Sequence, residues 1–410
     1  MEPMHQIPAR GGLNYDEAPF LAIWEITQSC DLACKHCRAA AQPIPHPDQL
    51  TTAEGKNLID QIADLHVPIF VFTGGDPLKR PDLFELIRYA SDKGVKVAVT
   101  PSATPLLTRE QIFKMKEAGI VRLGISLDGS TPEIHDAFRG LPGAWARTIQ
   151  AIEWANEAGV PIQVHTTISR HNADDLDNLC ALFEKQKIVM WNVFFLVPVG
   201  RGQMADLLSG EEFEQVFGKI YELSHRVNFQ IKSTEAMHYR RYLLQHNLQE
   251  RQMGHGHPGS HPVGHPGTVA AEYEAGTPSA DAASRTRGWA TRRVNDGKGF
   301  LFVSHTGNVY PSGFLPIHAG SIREKPLADI YRNSPIFKAL RNTSRLEGKC
   351  GACEYKEICG GSRARAYAVT GDPLAEEPCC IYQPKNWVQF ADRDVVKTKQ
   401  SEFAATLVTL

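Results

Sequence analysis

Between Pro19 and Val199 short β-rich runs alternate with amphipathic helical stretches, and this alternation limits the fold more than any other feature of the chain. Strands are expected at Phe20–Thr27, Ile69–Thr73, Val95–Thr100, Val121–Leu127, Ile162–Ile168 and Val189–Val197. Helices are expected at Thr52–Leu65, Asp82–Lys93, Arg109–Ala118, Trp145–Ala158 and Ala173–Lys185. Gly94, Gly119 and Gly159 stand where three of them should stop. Repeated strand–helix units imply a parallel sheet. A doubly wound sheet, covered on both faces, would show near-continuous hydrophobic strands. Here the strands alternate. Leu123, Ile125 and Leu127 share one face and Gly124, Ser126 and Asp128 the other, while Gln163, His165 and Thr167 oppose Ile162, Val164 and Ile168. One apolar face under helices and one small or polar face describe a curved wall around a cavity. Six units are too few for a full eightfold barrel. The expected fold is α/β, a partial (β/α)6 barrel with a C-terminal extension.

Four segments follow along the 410 residues: an N-terminal extension at 1–18, the barrel and following helices at 19–245, a linker at 246–290, and a C-terminal domain at 291–410. Glu211–His225 extends the barrel region as a further helix. The linker contains His255-Gly-His-Pro-Gly-Ser-His-Pro-Val-Gly-His-Pro-Gly267, a low-complexity stretch whose composition suits a solvated connection better than a metal site. Order resumes with a hairpin pattern, Phe300–Val303 and Val309–Pro311 around a turn at Thr306–Asn308. Lys+Arg 44 against Asp+Glu 46 leaves a formal charge of −2, so no global field points to nucleic acid or an anionic membrane. The longest apolar runs, such as Ile188–Val199, fall short of a membrane span, and Met1–Gly12 has no apolar signal core. A soluble, cytoplasmic protein is expected.

The nine cysteines carry the chemistry. Cys30, Cys34 and Cys37 form one group, five lie between Cys350 and Cys380, and Cys180 stands alone on a helical stripe with Leu176, Leu179 and Phe183, as a small buried hydrophobe. Clustered thiols in odd number read as metal ligands rather than a disulfide framework. The first group is C-x3-C-x2-C directly after the first strand, where a parallel barrel collects its ligands. Three thiolates hold three irons of a 4Fe–4S cluster and leave the fourth iron open. A structural zinc site would need a fourth ligand, which the adjacent His36 is poorly placed to supply.

This loop, with Thr73-Gly74-Gly75-Asp76-Pro77 after the second strand, resembles the radical S-adenosylmethionine (SAM) superfamily. The resemblance implies that the amino and carboxylate groups of SAM chelate the open iron, with Gly74 and Gly75 letting the backbone pass close to its methionine end. It also implies SAM contacts from Ser126 and Arg139 at the methionine group, Ser102 at the ribose, and Leu196 and His36 beside the adenine, with Asp76 and Pro77 completing the SAM-binding glycine segment. Asp76 stands where the family most often has Glu, and His36 where it most often has an aromatic residue.

The second group, Cys350-x2-Cys353-x5-Cys359 followed by Cys379-Cys380, offers four ligands for a cluster or a zinc ion. It resembles the SPASM/twitch extension of radical SAM enzymes and implies one auxiliary 4Fe–4S cluster on Cys350, Cys353, Cys359 and Cys380, with Cys379 as the alternative fourth ligand. Gly360–Asp372 and Val309–Phe314 resemble the branch that modifies tetrapyrroles in alternative haem and haem d1 biosynthesis. Arg363, Arg365 and Arg285–Arg293 are candidate partners for porphyrin carboxylates, or else structural arginines.

The implied activity is reductive cleavage of SAM to a 5′-deoxyadenosyl radical that takes a hydrogen from the substrate, for side-chain decarboxylation of an iron porphyrin. The implied electron donor is a flavodoxin or ferredoxin, with no nucleic-acid or membrane partner. A SPASM-type maturase acting on a ribosomally made peptide is the alternative within the class. A non-catalytic iron–sulfur or zinc protein is the alternative outside it.

Overall fold

The computed structural model describes residues 14–252, 293–385 and 387. Its parallel strands β1 (Leu21–Glu25), β2 (Ile69–Thr73), β3 (Val97–Val99), β4 (Arg122–Ser126), β5 (Ile162–Ile168), β6 (Met190–Phe195) and β7 (Gln230–Thr234) pair in sequence order. Helices α1 (Thr52–Asp64), α2 (Leu83–Asp92), α3 (Arg109–Ala118), α4 (Pro132–Arg139), α5 (Ala144–Glu157), α6 (Leu176–Lys185) and α7 (Gly210–Ser224) connect them. The expected partial barrel is present with one more strand than the six expected. Only Ile231 in β7 is buried on the helix side, so a run this short and polar carries little strand signal. Helix α4 is likewise an addition to the expected elements. It is eight residues long, with Pro132 in its first turn and left-handed Gly140 at its end.

Local chemistry sets the helix ends. Thr51 with Glu54, and Ser209 with Glu212, form capping boxes at α1 and α7. The apolar faces of α1 and α2, including Leu58, Ile62, Leu86 and Ile87, bury against Trp24, Phe70 and Phe72 from β1 and β2. Trp24 is fully buried, edge-on to Phe72 with ring centroids 5.5 Å apart, and Gly55 exists because a Cβ there would lie 2.6 Å from the indole. Cys180 lies in the core of α6 beside Leu179 and Phe183, as expected.

The C-terminal region extends the same sheet. Strand β8 (Phe300–Val303) pairs in parallel with β1, and β9 (Asn308–Tyr310) and β10 (Gly320–Ser321) follow antiparallel, giving the order β10-β9-β8-β1-β2-β3-β4-β5-β6-β7. Helix α8 (Tyr239–Gln252) runs past residue 245, into the segment read as linker. The rest of the His-Gly-Pro segment lies outside the described residues, as do Arg285–Arg292. Helices α9 (Leu327–Asn333), α10 (Pro335–Arg341), α11 (Gly348–Ala352) and α12 (Arg363–Thr370) complete the extension. Among the described residues no helix is long and apolar enough to cross a membrane.

Arg363 and Arg365 bind the chain to itself. Arg365 is fully buried, pairs with Glu377 at 3.1 Å, and donates to the carbonyls of Leu196 at 3.2 Å, Phe195 at 3.3 Å and Glu235 at 2.5 Å, with Phe213 beneath its guanidinium. Arg363, 2% exposed, donates to Pro373 O at 3.1 Å and Ala375 O at 2.6 Å. Neither side chain is available to a substrate carboxylate. Removing one member of a buried pair leaves the other charge without compensation. Arg365→Ala is therefore expected to lower unfolding stability by about 3–5 kcal/mol, measured by chemical denaturation of the full chain.

Candidate functional site

The chain leaves β1 into a loop that carries the first three cysteines at the carboxyl edge of the sheet. The loop folds back on itself: Cys30 N donates to Gln42 O at 2.8 Å, and Ser29 Oγ donates to Pro43 O at 2.9 Å. The segment after β2 is pressed against it. Gly75 N donates to Thr27 O at 2.8 Å and Asp76 N to Ser29 O at 2.7 Å. A Cβ on Gly75 would sit 2.4 Å from Ser29 O, and one on Gly74 would sit 2.5 Å from Thr27 O. The approach of two segments of this chain by itself requires both glycines.

Asp76 and Ser102 brace this contact. The Asp76 carboxylate is fully buried and accepts from Leu78 N at 3.2 Å, Ser102 N at 3.4 Å and Thr104 Oγ1 at 2.8 Å, while Pro77 opens a single 3-10 turn. Ser102 Oγ donates to Gly75 O at 2.8 Å and lies 3.5 Å from Cys30 Sγ. Ser102 therefore links the glycine segment to the first thiol. Thr104 is a part of this bracing that the sequence reading missed; a hydroxyl in a loop carries no motif.

The other side of the loop meets α4 and the segment after β6. Arg139, the last residue of α4, pairs with Asp128 at 2.5 Å and points Nη1 at Cys34 Sγ, 3.7 Å away. Lys35 N donates to Phe138 O at 3.1 Å, and Arg201 Nε to Cys34 O at 2.9 Å. His36 stacks flat on Phe138 with centroids 4.3 Å apart, and burial together with Arg139, His135 and Arg201 holds its pKa well below the usual imidazole value. Ser126 lies on the concave face opposite His165, and Leu196 follows β6 with its carbonyl taken by Arg365.

These surroundings fit an iron–sulfur cluster. Burial pushes the thiols of Cys30 and Cys34 up, opposed at Cys30 by Ser102 and Leu32 N, and at Cys34 by Arg139. Bound iron supplies the positive charge that favours the thiolates. The Nε of Arg139, Nη2 of Arg201 and Nδ1 of His36 are buried without partners around this loop, donors or acceptors left over for a polar ligand.

The second cysteine group closes on one pocket lined by Cys350, Cys353, Cys359 and Cys380. Each of the first three sulfurs receives a backbone N–H: Cys350 from Glu377 at 3.3 Å, Cys353 from Tyr355 at 3.4 Å, and Cys359 from Gly361 at 3.4 Å. Arg363 Nη2 stands 3.6 Å from Cys350 Sγ. Such N–H···S contacts are what cluster thiolates use. Burial pushes the Cys380 thiol up to about 12. Cys379 turns away, buried, with its Sγ 3.8 Å from Leu208 O.

Comparison with known proteins gives the family. Residues 24–183 match the radical SAM superfamily model, and residues 295–354 match SPASM, an iron–sulfur cluster-binding domain. The chain is 40% identical over 369 residues to an AdoMet-dependent heme synthase of Methanosarcina barkeri, covering 90% of this chain and 97% of that one. The chain belongs to the radical SAM superfamily. This radical SAM enzyme is also 30% identical to the Fe-coproporphyrin III synthase of Methanosarcina barkeri, covering 89% and 88% of the two chains. Streptococcus suis SuiB bound to the precursor peptide SuiA has the same fold, with a TM-score of 0.66 at 14% identity over 89% of this chain and 76% of that one. As a member of the superfamily the enzyme uses SAM with a 4Fe–4S cluster, and its SPASM domain binds a further iron–sulfur cluster.

Three substitutions test the geometry. Gly75→Ala must push the cysteine loop outward, and SAM cleavage by the reconstituted enzyme is expected to fall by on the order of a hundredfold, the usual cost of a misplacement of about 1 Å. Cys380→Ala is expected to lower iron content by about four atoms per chain while Cys379→Ala leaves it unchanged, measured by iron and sulfide analysis after anaerobic reconstitution.

Proposed function

We propose that this enzyme removes carboxyl groups from the side chains of an iron porphyrin. The observation that carries the reading is the 40% identity to an AdoMet-dependent heme synthase across 97% of that protein's length. The concave face of the barrel suits a flat, acidic substrate. Ser126, His165, Asn192 and Lys232 form one row in register across β4 to β7. From His165 in this row a run of stacked and tilted rings continues through Phe194 to Phe314, with centroids 5.4 and 6.2 Å apart. Flat rings of this kind suit a macrocycle.

In this reading Cys30, Cys34 and Cys37 hold the SAM-binding cluster. Gly74, Gly75, Asp76, Pro77 and Ser102 form the wall on one side of SAM, and Arg139, Ser126, Leu196 and His36 form the other. When bound, SAM and the reduced cluster supply an organic radical able to take a hydrogen atom from an unactivated carbon. The protein's share is position and exclusion of water. Arg139, fixed by Asp128, offers its unpartnered Nε–H to a carboxylate; the buried Asp76 holds Ser102 and Gly75 in place; His36, stacked on Phe138, offers a flat face. Cys350, Cys353, Cys359 and Cys380 hold the auxiliary cluster. The electron donor we assign is a flavodoxin or ferredoxin of the cytoplasm.

Anaerobic incubation with iron-coproporphyrin, SAM and a reductant tests the reading. Mass spectrometry is expected to show the porphyrin losing the mass of carbon dioxide and hydrogen from its propionate side chains. Unchanged porphyrin, with SAM consumed only when a peptide encoded beside the gene is added, would move the assignment to peptide modification.

A further inference from the structure

The pocket of the second cysteine group contains a buried histidine in addition to its thiols. His238, 1% exposed, lines it together with Cys350, Cys353, Cys359 and Cys380, and both of its ring nitrogens are buried with no hydrogen-bond partner. Its ring is held by Phe213, stacked with centroids 5.2 Å apart, and by Phe217, edge-on at 4.8 Å. One helical turn on, Arg241 lines the same pocket, and its Nε is likewise buried without a partner although its terminal nitrogens bind Glu214.

A histidine that merely filled the core would leave a donor and an acceptor unsatisfied, which native interiors avoid. An imidazole always carries at least one N–H. The four thiols already account for the ligands of one cluster, and three of them already take backbone N–H bonds. What the pocket still lacks is an acceptor for His238, and the inorganic sulfides of a cluster are acceptors.

We propose that His238 donates an N–H···S hydrogen bond to the auxiliary cluster and, with the positive charge of Arg241 alongside, raises its reduction potential. The proposal rests on the assignment of that cluster to Cys350, Cys353, Cys359 and Cys380. Reduction adds negative charge to the cluster, and a donor aimed at sulfur stabilises the reduced form more than the oxidised one. His238 is thus a positioning and tuning residue.

The test uses the full chain with Cys30→Ala, Cys34→Ala and Cys37→Ala, so that only the auxiliary cluster contributes to the spectra. EPR-monitored redox titration is expected to give a more negative potential for His238→Leu at unchanged iron content. His238→Gln, which keeps an N–H, is expected to recover most of the shift. Pulsed EPR of the His238-containing protein, labelled with 15N-histidine, is expected to show a weak nitrogen coupling and an exchangeable proton that deuterium replaces. This second measurement decides the matter even where a variant fails to load its cluster. An unshifted potential in a loaded His238→Leu protein, or no histidine coupling, overturns the proposal. A nitrogen coupling as large as that of a direct iron ligand overturns it too. Failure of the ligand assignment itself shows separately, as retained iron in Cys380→Ala.

Discussion

Two backbone segments at the carboxyl edge of the sheet, Thr27–Ser29 after β1 and Gly74–Asp76 after β2, lie closer than any side chain would permit. That approach decides where the cysteine loop stands. The glycines let the segments hydrogen-bond directly, Asp76 is locked beneath by Thr104 and Ser102, and Ser102 reaches the first thiol. From the opposite side, Arg139 and Arg201 hold the sulfur and carbonyl of Cys34. Flexible thiols are thereby carried on a frame whose contacts are mostly backbone, which is what a reaction confined to one bound orientation requires.

The extension is tied to this frame by one buried cation. Arg365 joins Glu377, two residues before Cys379, to the carbonyls at the ends of β6 and β7. A guanidinium can do this because it has five donors in a fixed plane and remains charged when buried. The pairing of β8 with β1 adds a second join, through backbone alone. The loops that carry the two cysteine groups are therefore both tied to one continuous sheet.

Much of this is legible in the sequence. Strand and helix alternation foretold the parallel sheet, because alternate burial of a strand writes a period of two into the sequence. The cysteine spacings pointed to cluster chemistry, and all four thiols expected for the auxiliary site line one pocket, Cys380 included. What failed was weakly patterned or non-local. Strand β7 has one buried apolar residue and α4 is too short for periodicity to show. Arg363 and Arg365 looked available to a substrate, since a sequence cannot say whether a cation faces solvent or a ring of carbonyls.

The sequence by itself determined the composition of the site: which thiols, on which loops, after which strands, because ligand chemistry and hydrophobic period are local properties. Only the tertiary structure decided the partners, among them Asp76 with Thr104, Arg139 with Asp128 and Arg365 with Glu377, along with the solitude of His238 in its pocket. Those depend on desolvation and on distances between groups far apart in the chain, quantities that exist only once the chain has folded.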